Sequence, residues 1–246
     1  MKYQVNPQFV RTKDLIIDVR AHFANSQHVL QDARNKIKRV AYEGAFYAVK
    51  SFKQPSGLKQ LWYSFLRPSK AQRSYDYSLK IDNFVPQAIG YVEIYEGKLI
   101  SSSFFVSKLF DYDFTIREVL VNRNHADRAE ILSQFAVFTY RLHEQEILHK
   151  DYSPGNILIK RTADGYQFKI IDINRMQFKQ LSIDARMRNF CMLWATDDDL
   201  ASIITKYAAI AALDVDKCQR LARHFNQRNK RFKNFKKRLK GKAVTD

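Results

Sequence analysis

Residues 148–159 read LHKDYSPGNILI and set His149, Asp151 and Asn156 in an H-x-D-x-x-x-x-N spacing between apolar flanks. A polar loop between buried segments must have its backbone groups satisfied on both sides, which few folds allow. The Asp151 carboxylate can accept a hydroxyl proton, and the amide oxygen of Asn156, five residues on, can ligate a hard cation such as Mg2+. With ordinary residue frequencies the triple spacing arises by chance in roughly one per cent of chains of this size. The neighbouring sequence therefore has to decide. Ile157 to Lys160 reads as a strand, Asp164-Gly165 as a hairpin turn, and Gln167 to Ile171 as a second strand that delivers Asp172 to the end of the loop.

Further motifs lie upstream. Phe46-Tyr47-Ala48-Val49-Lys50 ends an apolar strand on a lysine, as V-A-I-K does in protein kinases, where the amine grips the α and β phosphates of a nucleotide. Ser69-Lys70-Ala71-Gln72 has the form of a helix cap, and the helix it opens carries Asp76, the candidate partner for Lys50. Asp172-Ile173-Asn174 stands where D-F-G would stand, keeping the carboxylate and losing the aromatic residue and the glycine. Each residue also has a bland reading. Asp151 and Asp172 could be turn formers, Lys50 could be a snorkelling strand lysine with Lys53 as the substitute amine, and His149 fits a structural loop residue better than a base.

Taken in order, Lys50, Asp76, Asp151, Asn156 and Asp172 follow a protein-kinase-like pattern. Together with Arg34-Asn35-Lys36-Ile37-Lys38, Val49-Lys50-Ser51-Phe52-Lys53, Ser69-Lys70-Ala71-Gln72-Arg73-Ser74-Tyr75 and Asp172-Ile173-Asn174-Arg175-Met176, the chain resembles the lipopolysaccharide core kinases, the Kdo and heptose kinase family, over residues from about 25 to 210. The resemblance implies an α+β, two-lobed protein-kinase-like fold with nucleotide bound between the lobes. It implies ATP and Mg2+ as cofactors, Asp151 as the catalytic base, Asn156 and Asp172 on the metal, and Lys50 with Asp76 at the nucleotide. The expected N-terminal lobe, residues 1–106, holds a five-stranded antiparallel sheet, with strands at 29–30, 37–42, 45–52, 88–94 and 99–106, crossed by the Asp76 helix. The expected C-terminal lobe, residues 107–216, is mostly helical, with Ile131, Leu132, Phe135, Phe138 and Leu142 on a buried helix.

The phosphate loop departs from the kinase pattern. Between the first two strands lies Gln31-Asp32-Ala33-Arg34-Asn35-Lys36, with no glycine to let backbone amides approach phosphate. Arg34 and Lys36 are the substitutes, acting as charges. No Walker-A or dinucleotide fingerprint competes elsewhere.

The segment after Asp172 bears on the acceptor. It contains only 74 residues (246 − 172) and no A-P-E closes an activation segment, so the platform that holds a peptide substrate is reduced. A sugar hydroxyl of lipid-linked core oligosaccharide suits this better, with Arg175 as a contact for acceptor acid or phosphate. A small protein or metabolite kinase, and a non-catalytic module of the same fold, are the alternatives.

Charge adds a location. The net charge is +17, and residues 217–246 carry twelve Lys or Arg against one acid, hence +11 of it. Leu221, Phe225, Phe232, Phe235 and Leu239 form a helical stripe in that segment, fit either to dock on the C-terminal lobe or to lie on an anionic membrane. Nucleic acid is disfavoured because no helix-turn-helix, RNP or zinc-finger pattern accompanies the basic residues. A second stripe, Leu58, Leu61, Trp62, Phe65 and Leu66, is expected to pack into the core. Cys191 and Cys218 have no metal-site spacing, and the sequence shows no signal core and no apolar run of spanning length. A cytoplasmic protein, peripheral on the inner face of a bacterial inner membrane, is the expectation.

Overall fold

The computed structural model describes residues 1–32, 35–53, 57–239 and 241. The chain divides into two compact units, Met1–Asp111 and Tyr112–Asp246.

The first unit contains β1 (Lys2–Val5), α1 (Lys13–Ile17), α2 (Val19–Asn25), β2 (Val29–Asp32), β3 (Lys36–Tyr42), β4 (Ala45–Phe52), α3 (Leu58–Phe65), α4 (Lys70–Lys80), β5 (Ala88–Glu96) and β6 (Leu99–Lys108). Its sheet is antiparallel with strand order β1-β5-β6-β4-β3-β2. The sheet has one strand more than the sequence predicts. β1 has no signature in the sequence, because Lys2, Tyr3 and Gln4 are exposed and show no apolar alternation. Its presence instead explains Gly90, where a Cβ would meet the Gln4 carbonyl at 2.5 Å and the Ile16 side chain at 2.9 Å. The β3–β4 turn is built as expected, with Glu43 (φ 46°) and Gly44 (φ 74°) both left-handed.

Both faces of this sheet are covered. Leu15, Ile16 and Val19 pack with Val40, Tyr47, Val49, Ile89, Val92, Phe104 and Val106 on one side. Phe52, Ala71, Tyr75, Ala88 and Tyr91 fill the other, beneath α4. Ser69 caps α4 as the sequence predicts, its hydroxyl accepting from the Gln72 amide at 3.0 Å.

α3 is a correction. Its apolar residues are expected in the core, yet Leu61, Trp62, Phe65 and Leu66 are exposed. The polar side of the helix takes the contact with the sheet instead: Gln60 Nε2 donates to the Ile100 carbonyl at 3.0 Å and Ser64 Oγ accepts from the Ile100 amide at 3.0 Å.

The second unit contains β7 (Phe114–Thr115), α5 (Ile116–Val121), α6 (Arg128–Glu144), β8 (Ile147–Leu148), β9 (Ile157–Thr162), β10 (Gly165–Ile170), β11 (Gln177–Phe178), α7 (Ile183–Phe190), α8 (Asp197–Ile210) and α9 (Val215–Arg238). It is mostly helical. α6 buries Ile131, Leu132, Phe135 and Leu142 as its periodicity predicts. The hairpin β9–β10 forms with Ile157 opposite Ile170 and Thr162 opposite Gly165. Cys191 and Cys218 are buried free thiols, their pKa pushed up by burial.

The basic stripe of α9 splits. Phe225 is buried, under the Arg188 guanidinium 4.7 Å from its ring centroid, whereas Phe232, Phe235 and Leu239 are exposed. Of the two alternatives posed by the sequence, docking holds for the Phe225 end of the stripe, and the Phe232, Phe235 and Leu239 end is exposed.

Candidate active site

The loop from His149 to Asn156 is bounded by two small sheet elements, β8 paired with β11 before it and β9 paired with β10 and β7 after it. It is anchored from inside. Tyr152 is fully buried and shares a 2.8 Å hydrogen bond with Thr139 of α6. Pro154–Asn156 forms a single 3-10 turn, and a Cβ on Gly155 would sit 2.8 Å from the Arg117 guanidinium, so glycine lets that side chain lie against the loop.

His149 is a structural residue, as its place in the pattern suggests. Buried, it donates from Nε2 to the Ile171 carbonyl at 2.9 Å and accepts at Nδ1 from the Asp151 amide at 3.0 Å. One ring thus ties the backbone before Asp172 to the backbone of Asp151. Burial pushes its pKa down, which keeps the ring neutral and this donor-acceptor arrangement intact.

The sequence did not reveal what supports His149. Asn189 of α7 donates to the His149 carbonyl at 2.9 Å, and its Oδ1 accepts from His143 Nε2 at 3.1 Å. His143 Nδ1 in turn accepts from the Tyr207 hydroxyl at 2.9 Å. Burial lowers the His143 pKa to about 4. A neutral chain Tyr207–His143–Asn189–His149 therefore runs from α8 through α6 and α7 to the loop. The only signal in the sequence is polar residues within apolar helices, and no local pattern says that they meet.

Asp151 is half-buried, and Oδ2 accepts from Arg175 Nη2 at 2.6 Å. Arg175, expected at acceptor or phosphate, is thus also the residue that orients the Asp151 carboxylate. Asn156 Nδ2 donates to the Asp151 carbonyl at 2.9 Å, and the Ile171 amide donates to the Asn156 carbonyl at 3.0 Å. Asp172 adopts a left-handed φ of 59°, with Oδ1 accepting from the buried Asn174 at 2.6 Å. Non-glycine residues enter this region at some cost, and they do so preferentially at functional sites. Asp151, Asn156, Asp172 and Arg175 are brought together in one hydrogen-bonded frame. No cluster of three or more His, Cys, Asp or Glu side chains suited to a metal occurs among the described residues.

In the first unit, Lys50 lies on β4 between Val49 and Ser51, with Nζ 5.3 Å from the Phe52 ring centroid. Asp76 is on α4, and its pKa is raised chiefly by burial, against the pull of Gln72, Lys2 and Lys80, with Glu93 pushing the same way as burial. Lys36 pairs with Asp32 across the β2–β3 hairpin at 3.1 Å. Arg34 lies outside the described residues.

Residues 106–207 match the Lipopolysaccharide kinase (Kdo/WaaP) family. A solved structure described as WaaP in complex with acyl carrier protein superimposes with TM-score 0.60 at 16% identity, covering 94% of this chain and 99% of that one. A yeast RNA polymerase II CTD kinase, CTDK-1, is similar at TM-score 0.42 and 16% identity, over 72% of this chain and 60% of that one. No curated protein sequence matches. The family match spans the loop, its hairpin and the Asp172 segment, and the fold of that WaaP structure extends over nearly the whole chain, so residues 106–207 are similar to the lipopolysaccharide kinase (Kdo/WaaP) family within a kinase-like fold.

Proposed function

We propose that the protein transfers the γ-phosphate of ATP to a Kdo or heptose hydroxyl of lipid-linked core oligosaccharide. The observation that carries the site assignment is the locked loop: Asp151 is aimed by Arg175, and Asn156 is fastened to the Asp151 carbonyl through its amide nitrogen. That bond commits Nδ2 to the backbone and leaves Oδ1 as the amide's ligand atom. Asn156 and Asp172 offer oxygen donors alone, which fits Mg2+, a cation that completes its shell with water and phosphate oxygens rather than with a protein cage. The metal would neutralise phosphate charge during transfer.

Asp151 orients the acceptor hydroxyl and takes its proton. Lys50 supplies the amine for the α and β phosphates, with Lys36 and Arg34 as further basic contributors and Asp76 as the acid of the nucleotide lobe. Arg175 is exposed beyond its bond to Asp151, so it can also meet an acceptor carboxylate or phosphate. The basic segment 217–246 suits attachment to an anionic membrane, where such an acceptor resides.

The test is incubation with ATP, Mg2+ and lipid-linked core oligosaccharide, with transferred phosphate located by mass spectrometry. Asp151→Ala should lower kcat by roughly 10²- to 10⁴-fold, the range for loss of a general base. Unchanged transfer would remove the proposed base, and labelled protein in place of glycolipid would reassign the acceptor.

A further inference from the structure

α3 is built inside out. β6 extends past the end of β4, whose last residue, Phe52, pairs with Ser103, so Ile100 faces a stretch of sheet edge that β4 does not reach. Gln60 and Ser64, one turn apart, close that edge by taking the Ile100 carbonyl and amide. Ser64 is doubly used, since its hydroxyl also donates to the Gln60 carbonyl at 2.7 Å. With its polar side spent on the sheet, the helix turns the opposite side outward. Leu61 is 47% exposed, Trp62 53%, Phe65 60% and Leu66 74%. Four adjoining large apolar side chains on a convex, two-turn helix exceed the scattered exposure normal for a surface.

The surroundings select the occupant. Residues 50–75 contain six Lys or Arg and no acid, and Lys53 and Arg67, exposed on either side of α3, flank the apolar residues with positive charge. Tryptophan and phenylalanine beside basic residues are the composition of a segment that lies in the boundary between headgroups and acyl chains. No helix among the described residues is long and apolar enough to cross a membrane, so contact would be shallow.

We propose that α3 inserts its Leu61, Trp62, Phe65 and Leu66 side into an anionic bilayer, giving the first unit a membrane contact of its own. The inference goes beyond the attachment proposed for 217–246, because it rests on a different unit and on apolar insertion rather than on charge.

The chain has two tryptophans. In the full-length Trp194→Phe protein, Trp62 is the sole indole fluorophore. Vesicles of phosphatidylethanolamine with a minority of phosphatidylglycerol should shift its emission to the blue, and lipids brominated along the acyl chain should quench it. In the otherwise unaltered protein, Trp62→Ser with Phe65→Ser should weaken vesicle co-sedimentation by about tenfold or more. That loss should persist in high salt, where attraction through the tail is screened. Both substitutions are at exposed positions, so native unfolding behaviour should be kept.

An unshifted, unquenched Trp62 together with unchanged sedimentation would overturn the proposal. So would a blue shift given by a second copy of the chain or by an acidic protein, and not by vesicles. Binding is read without nucleotide or acceptor, so a chain that transfers no phosphate would still answer the question. A parallel Phe232→Ser, Phe235→Ser protein separates the contribution of α9.

Discussion

Asp151 and Arg175 form the most consequential pair of residues in the second unit, and the sequence anticipated only half of it. The spacing H-x-D-x-x-x-x-N marks the proposed base and the amide because their separation is local, set by one tight turn. That Arg175 is aimed at Asp151 depends on the left-handed turn at Asp172, which returns the chain toward the loop. His143 is the clearest case of a residue with no local signature. Its pKa of about 4 lies below the ordinary value of 6.5, so the unfolded chain binds a proton more readily than the folded one in the window between. Stability is therefore complete above pH 6.5 and is lost as pH falls toward 4. The loss should reach about 2 kcal/mol by pH 5, with His149 acting in the same direction. Urea unfolding from pH 8 to pH 5 measures it. A His143→Gln protein should start less stable and show a shallower pH slope, and an unchanged slope would show that His143 is not buried neutral.

At the level of elements, α9 and the β1–β5 pair give the sharpest contrasts. The apolar stripe of α9 is continuous in sequence, but Phe225 in its first half is buried while Phe232, Phe235 and Leu239 in its second are exposed. Phe225→Ala should cost about 3 kcal/mol through lost burial. Phe232→Ser with Phe235→Ser should stay within about 0.5 kcal/mol. Chemical denaturation distinguishes them, and equal costs would mean that the second half is packed as well. The same burial makes truncation after Asp216 a poor test of the tail, since Cys218, Ala222, Phe225 and Asn226 would be lost from the core with it. Gly90→Ala should destabilise by about 1–3 kcal/mol, because a methyl group has no room against the Gln4 carbonyl. A neutral result would indicate that β1 moves aside easily. Hairpins and α4 were legible because Glu43-Gly44, Asp164-Gly165 and Ser69 carry their geometry in their own chemistry. β1, α1 and α2 were not, since β1 is a mostly exposed polar strand and the helices are short, with burial conferred by the sheet beneath.

For the molecule as a whole, charge and exposed apolar surface act together. With a net charge of +17, affinity for anionic vesicles should fall by about tenfold or more between about 0.05 M and about 0.5 M salt. Co-sedimentation checks this, and salt-independent binding would assign attachment wholly to apolar insertion. The sequence alone determined the order of Lys50, Asp151, Asn156 and Asp172, the turns that frame them and the sign of the surface, because each is written in neighbouring residues or in a sum over them. Only the tertiary structure decided that Asn189, 40 residues from His149, supports it. It likewise decided that α3 gives its polar side to Ile100 and its apolar side to the exterior. A helical stripe specifies that a face is apolar; whether that face is buried depends on which distant backbone has unmet hydrogen bonds, and in α3 the open edge of β6 took the polar side.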